Sequence, residues 1–213
     1  MRIRLGTAVR ADVGQLSALI AEAFDPIDVT RWLVEDPGAR ARIMPGYFAL
    51  LTEHAVRHGT VRTACLHDDG GGGHGNDAVS VWLTLPGEAV RSYDVRLHDV
   101  CGPWTPRFRL LDQTMERLHP SRSPHAYLAF LAVRPVRQGR GLGSSLLRSH
   151  HADLDRLGLP SYLEAADPRS ERLYSRHGYV PCGPPLPLPV RGESLRPMWR
   201  EPRPREDGSP APG

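Results

Sequence analysis

A chain of 213 residues with 40% apolar and 24% charged side chains can bury one sizeable core, as an ordinary globular domain does. Its formal charge is only +3, and its basic residues are all arginines interleaved with acids, so it offers no patch or stripe for nucleic acid. No apolar run approaches the roughly 20 residues needed to cross a bilayer, and residues 1–5 lack the apolar stretch of a signal peptide. Cys65, Cys101 and Cys182 are odd in number, widely spaced and without a CxxC pair, which predicts free thiols and a cytoplasmic protein.

Residues 3–10 alternate as a short strand. Asp12 is placed to cap a helix in which Val13, Leu16, Leu19, Ile20 and Phe24 recur at helical spacing, closed by Pro26. A second helical region spans about 30–44 with an interruption at Pro37-Gly38, and 47–57 reads as a third helix. Residues 60–66 and 78–85 alternate as strands joined in a hairpin across a glycine-rich turn at 68–77. A helix over 108–118 and a break at 120–124 follow. Tyr127–Val133 is an apolar strand, and residues 144–148 open a new amphipathic helix. Then come a strand at 159–166, a helix at 168–177 stopped by Gly178, and a five-proline stretch at 180–190 suited only to a loop or edge. A last strand is placed at 195–199, and 201–213 reads as a disordered tail behind a single domain of residues 1–200. The pattern predicts a mixed α/β (α+β) fold.

Between strand and helix lies Gln138-Gly139-Arg140-Gly141-Leu142-Gly143-Ser144. The first N–H groups of a helix lack intrahelical partners, and the helix dipole favours negative charge there. Glycines let a phosphate oxygen come close, so this turn predicts a ligand with a pyrophosphate. A P-loop requires GxxxxGK, and no lysine is present. A dinucleotide fingerprint requires GxGxxG, whereas these glycines are spaced GxGxG; Glu164 falls at the distance of its acid only by coincidence.

The same residues match Q/R-x-x-G-x-G/A, the acetyl-CoA signature of the GCN5-related N-acetyltransferases (GNAT). The strand ending in Val133-Arg134-Pro135 precedes it, and Arg172-Leu173-Tyr174-Ser175-Arg176-His177-Gly178-Tyr179-Val180 is similar to that family's "lYeklGF" helix end. Within the superfamily the chain resembles puromycin N-acetyltransferase-type enzymes, through 138–144, 160–166 and 168–174. The resemblance implies a mixed, mostly antiparallel sheet flanked by helices on both faces. It implies acetyl-CoA as donor and direct transfer to an amine. It places the pantetheine arm along the backbone of Leu131, Ala132 and Val133, with the Val133 N–H on the thioester carbonyl. Ser170 falls where relatives often carry an asparagine near that arm. Tyr174 matches the family tyrosine and becomes the candidate general acid, because a phenol pKa of about 10 suits a departing thiolate.

Glu164 shares a strand face with Tyr162 and Ala166; if that face opens on the cleft, the carboxylate is the candidate general base. Arg137 and Arg140 can pair with CoA phosphates, while turn geometry alone can account for Arg134. His150 and His151 read as a solvated helix face and His177 as packing or surface; no metal-ligand spacing is present. Trp32, Trp82, Trp104 and Phe108 could line an acceptor pocket or serve as core aromatics. The expected activity is acetylation of a small-molecule amine, such as an antibiotic or specialised metabolite, by a monomer or homodimer. Acetylation of a protein amino terminus or lysine, and a CoA-binding module that has lost transfer, stand as alternatives.

Overall fold

The computed structural model describes residues 2–67, 75–120, 124–188 and 194–204. The bulk of the expected glycine turn (68–74), of the 120–124 break (121–123) and of the tail (205–213) lies outside the described residues. In chain order the elements are β1 (Arg2–Thr7), α1 (Val13–Phe24), α2 (Asp28–Leu33), α3 (Pro37–His58), β2 (Thr60–His67), β3 (Ala78–Leu85), α4 (Tyr93–Cys101) and α5 (Thr105–Leu118). They continue as β4 (His125–Val133), α6 (Leu142–Leu157), β5 (Ser161–Ala165), α7 (Pro168–Arg176), β6 (Val180–Pro181), β7 (Leu186–Pro187) and β8 (Ser194–Arg200).

Three readings change. The helices expected at 30–44 and 47–57 are divided differently: α2 is separate, and α3 runs unbroken from Pro37 through Pro45 to His58. Asp36 caps α3 by accepting from the Ala39 N–H at 2.6 Å, with Pro37 in the first turn where its missing N–H costs nothing. Pro45 removes one helical hydrogen bond, at about 3 kcal/mol, but Met44, Tyr47 and Phe48 are buried on either side and hold the helix together. Helix α4 was not expected, because Leu97 and Cys101 are its only buried residues in a polar stretch. Asp12 is the N-cap residue of α1 but makes no cap bond; its carboxylate accepts from the Val9 N–H at 2.8 Å across a short 3-10 turn.

Strand order is β1-β2-β3-β4-β5-β8-β6, with β7 pairing β8 separately. Every pairing is antiparallel except β4–β5, which is parallel. Helices α1 and α3–α5 contribute to the core on one face, over Val61, Val79, Val81 and Phe130. Helices α6 and α7 cover the other, over Trp82, Leu128, Leu163 and Ala165.

Two features of β4 position the site. Its register against β3 jumps from Trp82↔Leu128 to Val81↔Phe130, so Ala129 is an extra residue bulged out of the ladder. One inserted residue reverses the alternation of all that follow. Ala126 and Leu128 therefore pack with the α6/α7 layer, whereas Phe130 and Ala132 belong to the opposite core. On its other edge β4 pairs with β5 only at Ala126↔Ser161 and Tyr127↔Tyr162. Beyond Tyr127, no strand pairs with that edge among the described residues, and the sheet parts at its centre.

Candidate active site

The glycine turn sits on the α6/α7 side of this parting. Gly139 and Gly141 hold φ of +76° and +81°, the left-handed region that side chains with a Cβ resist. Gly141 is the N-cap of α6 and no side chain caps the helix, so its first N–H groups are left for a ligand. Gly143 faces Leu131, Val133 and Leu173, and a Cβ there would meet them at 3.7–3.8 Å, ordinary contact distance. Leu142 is buried beneath the turn, while Gln138, Gly139, Arg140 and Gly141 are exposed. Gln138 pins the turn, its Nε2 donating to the Val133 carbonyl at 3.3 Å and its Oε1 accepting from Arg169 at 3.2 Å.

Several neighbours are committed elsewhere. Arg134 pairs with Glu22 at 2.7 Å and Arg137 with Asp77 at 3.4 Å. The Ser144 hydroxyl lies 3.0 Å from His177 Nε2. Ser170 belongs to the capping box of α7, its hydroxyl donating to the Asp167 carbonyl at 2.8 Å. His150 and His151 are not on a solvated face. They are 6% and 5% exposed, and His150 lies against Trp82 with ring centroids 4.3 Å apart. Burial lowers their pKa values to about 4 and about 3, so both rings are neutral. They share the helix face of Leu146, Leu147 and Leu154, and that spacing was the signal for their burial.

Tyr174 is buried on the same side, among Leu128, Leu163 and Tyr179, whose ring is 5.9 Å away. Burial, and then the charge of Asp167, push its phenol above the usual range, so it keeps its proton.

Glu164 faces the other way, into a cavity of about 630 Å³ between β3–β5 and helices α1–α5. The cavity wall is mainly apolar, with Phe24, Tyr47, Phe48, Tyr93 and Phe130 as its larger surfaces. Trp32, Trp82, Trp104 and Phe108 do not line it. Trp82 and Phe108 are sealed core residues, and Trp32 and Trp104 flank the Arg107 guanidinium at 5.8 and 5.3 Å. Burial raises the Glu164 carboxyl to about 7, and the Tyr162 and Tyr127 hydroxyls oppose that rise. Its Oε1 is buried without a hydrogen bond of good geometry.

Sequence reasoning missed Tyr127, Asp112 and His119 on the same wall. Asp112, Met115, Glu116 and His119 recur at helical spacing, so one stripe of α5 faces the cavity, and that period was the available signal. His119 Nε2 lies 2.9 Å from His125 Nε2, and burial followed by that neighbour lowers its pKa to about 4. Among the described residues no group of three or more His, Cys, Asp or Glu side chains could hold a metal ion. None of their helices is long and apolar enough to cross a membrane.

A family model for the acetyltransferase (GNAT) domain matches residues 111–181, the stretch from α5 through the parting strands and glycine turn to β6. The chain carries a GNAT acetyltransferase domain. Among solved structures it is similar to one from Corynebacterium glutamicum named histone acetyltransferase HPA2 and related acetyltransferase. The two are 27% identical over 97% of this chain and 99% of that one, with a TM-score of 0.70. A Drosophila melanogaster polyamine N-acetyltransferase shares the fold at 17% identity over 94% of this chain and 100% of that one, TM-score 0.65. So does arylalkylamine N-acetyltransferase 2 from Aedes aegypti, at 14% identity over 95% and 100%, TM-score 0.62. The GNAT domain and its fold make the chain an acyl-CoA-dependent N-acetyltransferase.

Proposed function

We propose that this GNAT protein moves an acetyl group from acetyl-CoA to the primary amine of a small, largely apolar molecule, by direct attack with both substrates bound. One observation carries the reading: a carboxyl poised near neutrality, Glu164, stands on the wall of a mainly apolar cavity beside the parted strands. A cavity of about 630 Å³ suits a small molecule better than a folded protein surface. The polyamine and arylalkylamine enzymes named above, with which the chain shares its fold, act on small amines by name.

In this reading the N–H groups of Gly139, Arg140, Gly141, Leu142, Gly143 and Ser144 hold the diphosphate, with Gln138 fixing the turn. The unpaired edge of β4 at Leu131, Ala132 and Val133 holds the pantetheine arm, and the Val133 N–H polarises the acyl carbonyl. Ser170 borders that arm with its hydroxyl held by the α7 cap. The bound donor supplies an activated thioester. Glu164 takes a proton from the acceptor ammonium, freeing the nitrogen lone pair to bond to the acyl carbon. The C–S bond then breaks as Tyr174 gives its proton to the departing thiolate, and the second nitrogen proton leaves to restore the phenol. The two residues lie on opposite faces of the sheet, so the reacting atoms meet in the gap between β4 and β5.

The test is release of CoA thiol from acetyl-CoA with arylalkylamines, alkylamines and lysine-bearing peptides, with products identified by mass spectrometry. Acetylated small amines are expected. Turnover of peptides alone would assign the protein-directed activity instead, and donor binding without turnover of any amine would leave a CoA-binding module.

A further inference from the structure

Besides Glu164, two carboxylates line the cavity, the exposed Glu116 and the half-buried Asp112, and the transfer chemistry uses neither. Asp112 lies on the cavity wall at α5, and Tyr93 of α4 donates to its Oδ2 at 2.9 Å. Among the described residues Asp112 makes no ion pair; Arg109, three positions earlier, pairs with Asp94 at 3.2 Å instead. Tyr93 and Tyr47 are the aromatic neighbours of Asp112, Tyr47 close enough to feel its charge, and Phe24, Phe48 and Phe130 line the same cavity. A half-buried carboxylate with tyrosine neighbours, on the wall of a mainly apolar cavity, is a receptor for an organic cation. Asp112, Tyr93 and Glu164 line one and the same cavity.

We infer that Asp112 and Tyr93 form a second cation station in the cavity that Glu164 also lines, so that the acceptor is a diamine with an apolar spacer. One amine reacts beside Glu164 while the other, still protonated, is held by Asp112. The inference rests on the cavity being the acceptor site. It makes Asp112 a specificity-determining residue, because a monoamine of equal length would leave the half-buried carboxylate without a counter-charge.

The full-length protein is assayed with acetyl-CoA against octylamine and the diaminooctane carrying an amine at each end, with kcat/KM measured for both. The diamine is expected to be favoured by at least about tenfold, the worth of one charge-assisted contact. Asp112→Asn keeps the size and the Tyr93 bond, and should bring the ratio close to one. If that variant does not fold, the wild-type ratio at pH 5 and pH 8 gives the same information. Asp112 is raised to about 6, chiefly by burial, so the preference is lost as pH falls through that value. The groups facing it are Tyr93 and Cys101 of α4, Tyr47 of α3, and Asp94 and Glu116, none of which supplies a cation. A wild-type ratio near one, or a preference that survives Asp112→Asn or protonation, overturns the inference. Absence of transfer to every amine would instead overturn the acceptor reading on which it stands.

Discussion

Glu164 and Tyr174 are both withdrawn from water, yet burial serves them differently. A carboxyl raised to about 7 is a base matched to neutral pH, whereas a raised phenol stays protonated and waits for a strong base such as a thiolate. Glu164→Gln is expected to lower kcat/KM by about 10²-fold or more and to remove the rise in rate through pH 7, read from a pH–rate profile. The same change should raise Tm at pH 8. Because the native carboxyl, at about 7, binds protons more tightly than the unfolded one at 4.5, stability is lost as pH rises between those values and stays lost above pH 7. At pH 4, where both states are neutral, the gain should disappear. Tyr174→Phe should lower kcat with acetyl-CoA affinity close to normal, checked by calorimetry alongside turnover. Period two alone placed Glu164 on its face, and the order of motifs placed Tyr174. Asp112, Tyr127 and His119 come from separate elements, so no local pattern joined them.

At the scale of elements, β4, the turn and α6 were readable, because an apolar run, three spaced glycines and a leucine face each follow from local chemistry. The bulge at Ala129 was not readable, since it exists only relative to β3. Nor was α3, whose passage through Pro45 depends on burial contributed by other elements. Helix α6 also supplies its own control. Gly141 precedes it at φ +81° and Gly158 follows it at φ +64°, and a Cβ at either would meet nothing within 4 Å. Glutamate at either position should therefore cost about 1 kcal/mol of backbone strain. Gly141→Glu should abolish acetyl-CoA binding by placing a carboxylate where the diphosphate goes, while Gly158→Glu leaves it intact. Equal loss in both, measured by calorimetry, would mean that strain and not charge was responsible.

Across the whole molecule, the alternation of strands and helices announced a mixed sheet, but the placing of the glycine turn over one face and the cavity over the other appears only in three dimensions. The far end of the sheet is tied to α6 by Arg200 of β8. It is 3% exposed, with Nη2 donating to both Asp155 carboxylate oxygens of α6 at 2.8 Å and Nε donating to the His177 carbonyl at 3.2 Å. Arg200→Met should lower stability by roughly 1 kcal/mol, seen in urea denaturation, because the partly exposed Asp155 keeps only the Arg203 N–H as partner. Close by, His150 and His151 are sealed in α6 as neutral rings, with proton affinities far below those of an unfolded chain. Their contribution to stability is complete above about pH 6.5 and declines as pH falls toward 4 and 3. Souring the medium would thus loosen α6 from within, giving the protein an acid limit written into the helix that the glycine turn opens.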